Sequence, residues 1–137
     1  MYQYSSFQKS KKRVFISFDY DHDSDLKTLL IGQSRLEGSP FEISDWSVKY
    51  ELSGDWKAKV REKIKKVNVV AVICGEHTDT CSGVNAEVKI IQEEEKSYFL
   101  LKGRKDKTCK KPNTAKPSDK IYSWTWENLK LLIHGNR

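Results

Sequence analysis

The sequence predicts an α/β fold, a flavodoxin-like three-layer α/β/α sandwich built on a mainly parallel sheet of four to five strands. Short apolar segments alternate with amphipathic ones along the chain, which is the order of successive βαβ units. The segment Val67–Cys74 is almost continuously apolar, as is typical of a strand that helices cover on both faces. The length of 137 residues is enough for one domain with its own core. We therefore expect a single domain over residues 12–137 and a flexible N-terminal arm at residues 1–11.

The predicted strands are short runs rich in β-branched and aromatic residues with polar residues on both sides. They are Val14–Phe18, Phe41–Ser44, Val67–Cys74, Tyr98–Leu101 and a possible fifth strand at Ile121–Tyr122. The helices are predicted from apolar residues at three- and four-residue spacing. The first begins near Asp25 with Ser24 as its N-cap and carries Leu26, Leu29, Leu30, Gln33 and Leu36 on one stripe. The second follows a Ser53 cap with Trp56, Val60 and Ile64 on one face, the third runs from Gly83 to Lys96, and the last spans Trp124–His134.

The net charge of +6 comes from the flanks of the domain and not from its body. Residues 102–120 hold eight basic and two acidic residues, whereas residues 14–101 hold 11 basic and 16 acidic ones. The basic segment 102–120 also contains two of the three prolines, which favours a long solvated loop. Because no zinc-finger spacing or basic recognition helix accompanies these lysines, the sequence disfavours a nucleic-acid partner, although salt-sensitive binding through this loop stays a weaker alternative.

Other compositional features exclude several classes of protein. No apolar run approaches the ~20 residues of a membrane span, and no apolar segment follows the N-terminal basic residues as it would in a signal peptide. Three irregularly spaced cysteines without a CxxC pair favour a reducing compartment and argue against a disulfide framework. With three scattered histidines, they also do not form a zinc pattern. We expect a cytoplasmic protein without a bound metal or resident cofactor.

In an open parallel sheet, ligands bind beyond the carboxyl ends of the strands, near the point where the strand order reverses. The loops there contain no P-loop, no GxGxxG fingerprint and no GxSxG nucleophile elbow. With these motifs absent, the remaining candidate for a catalytic residue is Glu87, in the first turns of the third helix and beside its apolar face. A carboxylate in that position can stabilise a developing positive charge or bind sugar hydroxyls. The alternative is that Glu87 only complements the positive end of the helix dipole.

Four features in this order resemble the bacterial TIR-like family, and more narrowly the TIR-like proteins of Thoeris antiphage systems (the ThsB group). They are the segment KRVFISF at residues 12–18 followed by an acidic loop, FEISDW at 41–46, the apolar strand ending at Gly75, and Glu87 opening the third helix. The resemblance covers about residues 12–101. It implies a TIR-like flavodoxin fold and cleavage of NAD, as substrate, at the nicotinamide–ribose bond. The implied products are ADP-ribose, a cyclic isomer of it or a related second messenger in antiphage signalling.

The resemblance also implies roles for individual residues. Glu87 maps onto the catalytic glutamate, and Trp46 lies near the same cleft. The nucleotide-binding rim is implied to contain Phe15, Ser17, Asp19 and Tyr20. The position of ligands at strand ends adds Asp45, Cys74 and Gly75, although Cys74 also suits a core position. The implied partners are NAD, a second copy of the chain, and an effector protein reached through the diffusible product.

One departure from the family pattern leaves a second function open. Many active TIR proteins carry an aromatic residue about four positions before the glutamate, where this chain has Gly83. This departure permits a non-enzymatic TIR module that acts by self-assembly or partner binding. The loop 102–120 also has no counterpart in the family pattern and is a candidate lid or docking surface. The loop histidines His22 and His77 are expected to be solvated bystanders.

Overall fold

Five parallel strands form one sheet in the computed structural model, which describes residues 11–49 and 54–136. The strand order is β2-β1-β3-β4-β5, and each neighbouring pair is parallel. The strands are β1 (Lys12–Ser17), β2 (Phe41–Trp46), β3 (Val69–Cys74), β4 (Tyr98–Lys102) and β5 (Ile121–Tyr122). From β1 the chain passes to β2 on one side of the sheet and then returns to form β3 on the other side of β1. The strand order therefore reverses between β1 and β3.

Four helices cover the two faces of the sheet and complete the predicted three-layer sandwich. They are α1 (Ser24–Ser34), α2 (Gly54–Lys65), α3 (Ser82–Glu93) and α4 (Trp126–Ile133). Helices α1 and α4 pack on one face, where Leu30 and Leu129 join Val14 and Ile16 of β1. Helices α2 and α3 pack on the other face, against a core that includes Phe15, Trp56, Ile64, Val88 and Ile91. Every residue of β3 is buried, as its apolar sequence predicts.

The predicted start of α1 is wrong in detail. Asp23, and not Ser24, occupies the N-cap position, and its side chain makes no capping hydrogen bond. The Ser24 hydroxyl instead donates to the Tyr20 carbonyl oxygen at 2.7 Å, because Ser24 already lies in the first helical turn. The predicted apolar stripe is also only partly buried, since Leu29 is 53% exposed and Leu36 is 52% exposed. The proposed Ser53 cap and the N-terminal arm at residues 1–10 lie outside the described residues.

The basic segment between β4 and β5 is ordered by hydrogen bonds. The Lys111 ammonium donates to the carbonyl oxygens of Lys116, Pro117 and Asp119 at 3.0–3.2 Å. Thr114 bonds the side chain and carbonyl of Asn85 on α3. The loop is therefore held by hydrogen bonds within itself and to α3, and it is not a free linker.

Candidate functional site

A cavity of about 360 Å³ opens at the carboxyl edge of the sheet, beside the point where the strand order reverses. Three loops and one helix form its walls: residues 18–22 after β1, residues 47–49 after β2, His77 and residues 80–81 after β3, and residues 82, 83 and 87 of α3. The parallel topology brings these segments together, because the carboxyl ends of neighbouring parallel strands share one edge of the sheet. Glu87 therefore lies on the wall of a cavity at this edge of the sheet.

The Glu87 side chain is almost fully buried, with 1% of its surface exposed. Its Oε1 atom accepts hydrogen bonds from the hydroxyls of Ser17 and Ser47, each at 2.6 Å. Its Oε2 atom is also buried and has no hydrogen-bond partner among the described residues. One carboxylate oxygen is thus fixed by the protein, and the other is left without a protein donor at a cavity wall.

Burial raises the pKa of Glu87 to about 7, because the charged form loses its hydration. The hydrogen bonds from Ser17 and Ser47, and the charge of Lys63, act in the opposite direction and limit the rise. A carboxylate with such a pKa changes charge within the physiological range, which is a property common at functional sites. Glu87 is not a solvated residue at a helix N-terminus, so the alternative of a dipole-complementing surface role does not fit this geometry.

Ser47 is a site residue that sequence reasoning did not single out. Its backbone N–H donates to the Ile16 carbonyl oxygen at 2.9 Å, and its hydroxyl oxygen accepts from the Phe18 N–H at 3.1 Å. These bonds attach the loop after β2 to β1 and aim the hydroxyl at Glu87. The only signal in the sequence was the position of Ser47 just beyond the second strand, where ligand loops are expected.

The rim of the cavity carries two histidines and a buried aspartate. Asp19 is 4% exposed, and its Oδ2 atom lies 2.8 Å from Nδ1 of His22. The rings of His22 and His77 stack with their centroids 4.1 Å apart. Tyr20 lies on the same rim and is 47% exposed. Asp19 and Tyr20 thus lie where they were predicted, and the two histidines are paired with each other at the cavity and are not isolated loop residues.

Phe15 does not lie at the rim, and its predicted position there is wrong. Its side chain is fully buried in the core beneath α2 and α3. Phe15 shares a face of β1 with Ser17 but lies two residues earlier, about 7 Å deeper along the strand. Ser17 therefore contacts Glu87, whereas Phe15 only packs.

The residues predicted at the carboxyl ends of β2 and β3 are also absent from the cavity wall. Oδ1 of Asp45 lies 3.6 Å from Nζ of Lys63 on α2. The centroid of the Trp46 ring lies 5.4 Å from Nζ of Lys27. Cys74 is fully buried, and burial raises the pKa of its thiol to about 12, so it is an inert core residue. Gly75 packs against the Asp23 carboxylate, where a Cβ atom would lie 2.3 Å from Oδ2.

The described residues contain neither a metal-binding cluster nor a membrane-spanning helix. Among residues 11–49 and 54–136, no three His, Cys, Asp or Glu side chains are grouped as a metal site requires. In the same part of the chain, no helix has the length and apolar content needed to cross a membrane.

Comparison with known proteins identifies the family. The family described as the TIR-like domain of the Thoeris protein ThsB matches residues 15–108, which include the ends of β1, β2 and β3 at the cavity and Glu87. The chain belongs to this family of ThsB TIR-like domains. The resemblance stated from the sequence is therefore confirmed.

Known structures support the TIR-like fold. The crystal structure of a prokaryotic SEFIR domain superposes with a TM-score of 0.57, covering 90% of this chain and 92% of the other, at 20% sequence identity. Likeness at that identity concerns the fold alone. No curated protein sequence matches significantly.

Proposed function

We propose that this ThsB TIR-like domain cleaves NAD at the nicotinamide–ribose bond, with Glu87 as the catalytic carboxylate. The observation that carries the proposal is the Glu87 carboxylate itself. It is buried at a cavity wall, with one oxygen held by two serine hydroxyls and the other without a partner among the described residues. Burying a charge in this way has a cost in folding free energy, and such costs are concentrated at functional sites.

The chemistry suits this arrangement. Departure of nicotinamide leaves positive charge on the ribosyl ring, and a fixed carboxylate in a desolvated pocket attracts that charge as it develops. Nicotinamide leaves NAD as a neutral molecule from a cationic ring, so no general acid is needed. Glu87 supplies this carboxylate at the cavity wall, and Ser17 and Ser47 hold it in place. No metal or cofactor enters this mechanism, and NAD is the substrate.

The dinucleotide also brings a negatively charged pyrophosphate, which needs compensating groups at the cavity. Lys49 lines the cavity from the loop after β2 and can offset part of that charge. The half-exposed Tyr20 offers a ring face at the rim for a base to stack on. The cavity in the acidic body of the domain therefore offers a lysine for the pyrophosphate and a tyrosine ring for a base.

The test is nicotinamide release from NAD by the purified protein, with the second product identified by mass spectrometry. Glu87→Gln keeps the shape and the acceptor oxygen but removes the charge, and we expect a loss of about 100-fold or more. Glu62→Gln, on the exposed face of α2, is the matched control and keeps full activity. Undiminished activity in Glu87→Gln would refute the role of Glu87.

A non-enzymatic TIR module remains the competing function, and the same preparation distinguishes it. If the domain works only by assembly, concentration-dependent oligomers form and no nicotinamide is released at any protein concentration or with the cognate effector present. If the domain is an enzyme, oligomers formed under the assay conditions release nicotinamide. Mass spectrometry of the second product then shows whether it is ADP-ribose, a cyclic isomer or a conjugated messenger. An effector protein would detect that product.

A further inference from the structure

A buried aspartate and a half-exposed histidine form a pair at the cavity, and cleavage of the nicotinamide bond does not use it. Asp19 is enclosed by its own loop: its Oδ1 accepts from the Asp21 N–H at 3.1 Å, and its carbonyl oxygen accepts from the Asp23 N–H at 2.8 Å. Its Oδ2 lies 2.8 Å from Nδ1 of His22. Because Asp19 is an acceptor when ionised, it fixes the tautomer that carries a proton on Nδ1. The other ring nitrogen, Nε2, is then a lone-pair acceptor.

The Nε2 atom is available to a ligand. The His22 side chain is 51% exposed, and Nε2 has no hydrogen-bond partner among the described residues. The ring lies against His77 on the wall of the same cavity that Glu87 lines. An aspartate-oriented imidazole facing a reaction cavity is the arrangement of a general base.

The loop that holds this pair is anchored to the segment that follows β4. Arg104, which follows β4, donates to the His22 carbonyl oxygen at 3.1 Å and also bonds the carboxylates of Asp23 and Asp25. The backbone of His22 is therefore held in position before any substrate binds. A bystander histidine on a solvated loop has no such support.

Building on the proposed cleavage of NAD, we propose that His22 is the general base for the second half of the reaction and that Asp19 positions it. After nicotinamide leaves, an O–H nucleophile attacks the ribosyl carbon C1′. The new C1′–O bond forms with the oxygen lone pair, and the O–H proton passes to Nε2 of His22. The resulting imidazolium lies beside the Asp19 carboxylate and later returns its proton to solvent. The nucleophile is water for hydrolysis, or a hydroxyl of the same dinucleotide for cyclisation.

Glu87 is poorly suited to take this proton. Its negative charge stabilises the ribosyl cation until the new bond forms, so protonation of Glu87 by the incoming nucleophile would remove that stabilisation too early. One of its oxygens is also already occupied by two serine hydroxyls. Glu87 therefore stabilises the positive charge on the ribosyl ring, and His22 accepts the proton of the nucleophile.

The experiment separates proton removal from bond cleavage by a change of nucleophile. Free-base 3-acetylpyridine attacks C1′ through a nitrogen that carries no proton, so its exchange into NAD requires Glu87 but no general base. At pH 8, we expect His22→Gln to lower formation of ADP-ribose or its cyclic isomer about 100-fold, and exchange of 3-acetylpyridine by less than about threefold. Asp19→Asn is expected to show the same split in smaller degree. A misfolded or merely weakened site would instead lower both reactions together.

The control is His134→Gln, at the exposed end of α4, which leaves both reactions unchanged. Equal loss of the two reactions in His22→Gln, or loss of neither, overturns the general-base role while the cleavage of NAD stands. If the wild-type protein supports neither product formation nor exchange, the NAD reaction itself is refuted, and the role of His22 is refuted with it. Thermal melting of each variant shows that the fold is retained.

Discussion

The buried Glu87 carboxylate makes the free energy of unfolding depend on pH. Its pKa in the folded protein is about 7, above the ordinary value of 4.5, so the folded state binds the proton more tightly than the unfolded state. The free-energy cost of burying the Glu87 charge is absent below pH 4.5, grows as the pH rises, and is complete above pH 7. The difference between the two pKa values corresponds to about 3 kcal/mol.

Glu87→Gln is therefore expected to stabilise the protein at alkaline pH. The amide oxygen keeps the two serine hydrogen bonds, and the unpartnered amide group offsets part of the gain, leaving roughly 1–2 kcal/mol, or about 3–8 °C in Tm at pH 8. At pH 5 the two proteins should melt within about 2 °C of each other. Scanning calorimetry at both pH values checks this, and a Glu87→Gln protein less stable than wild type at pH 8 would contradict it.

Ser47 is expected to set the pH range in which Glu87 is charged. Ser47→Ala removes a hydrogen bond that favours the ionised carboxylate, so the pKa of Glu87 rises further. The acid limb of the pH profile for nicotinamide release should move up by about one pH unit. Ser44→Ala, at an exposed position of β2, is the control and should not move the limb. An unchanged profile in Ser47→Ala would show that this hydroxyl does not tune Glu87.

The residues at the site could be predicted only where topology alone decides their position. Glu87, Asp19 and Ser17 lie at a strand end or on the first turns of α3, so their approach follows from the strand order. Ser47 could not be predicted, because serine is common in loops and its hydroxyl direction depends on two backbone hydrogen bonds. The rim position of Phe15 failed because the sequence does not show how far α2 and α3 cover the strand.

Among the connecting elements, the turn after β3 depends on a glycine with no room for a side chain. A Cβ atom at Gly75 would lie 2.3 Å from Oδ2 and 2.7 Å from Oδ1 of Asp23, which Arg104 holds in place. Gly75→Ala should destabilise the domain by roughly 1–3 kcal/mol. Gly32→Ala, on α1 where nothing lies within 4 Å, should stabilise it by about 0.5–1 kcal/mol. Urea denaturation of the two variants tests this contrast, and effects of equal sign would contradict it.

The basic loop is expected to depend on one of its lysines. Lys111→Met leaves three carbonyl oxygens without their donor and should cost roughly 1–3 kcal/mol in free energy of unfolding. The neighbouring Lys110 is exposed, so Lys110→Met should change stability by less than about 0.5 kcal/mol. Chemical denaturation distinguishes the two. Equal stability of both variants would mean that the loop is not organised by Lys111.

The elements themselves follow closely from the hydrophobic pattern, whereas their ends do not. The short fifth strand at Ile121–Tyr122 is confirmed at the predicted residues, and α3 covers Ser82–Glu93 where Gly83–Lys96 was expected. The start of α1 differs because Asp23 carries out another task, pairing with Arg104 from a distant part of the chain. Partners that are distant in sequence cannot be predicted from the local pattern of residues. The hydrogen bonds that order loop 102–120 were not predicted for the same reason.

For the whole molecule, the strand order explains where the cavity forms. Helices cover both faces of the sheet, and β1 and β3 contribute alternate side chains to the hydrophobic cores on the two faces. The regular βαβ alternation was enough to predict this architecture, because crossover connections leave few topologies open. The charge pattern agrees with a site in the acidic body. Lys111 of the basic loop bonds three carbonyl groups of that loop, and five other lysines of the loop are exposed: Lys105, Lys107, Lys110, Lys116 and Lys120.

The most direct test of the central claim is a crystal structure of Glu87→Gln with NAD, since this variant should bind the dinucleotide without cleaving it. The account predicts intact NAD in the cavity between residues 18–22 and α3, with C1′ of the nicotinamide ribose within about 4 Å of the side chain of residue 87. An empty cavity at saturating NAD, or NAD bound elsewhere, such as the groove beside Trp124, would contradict it.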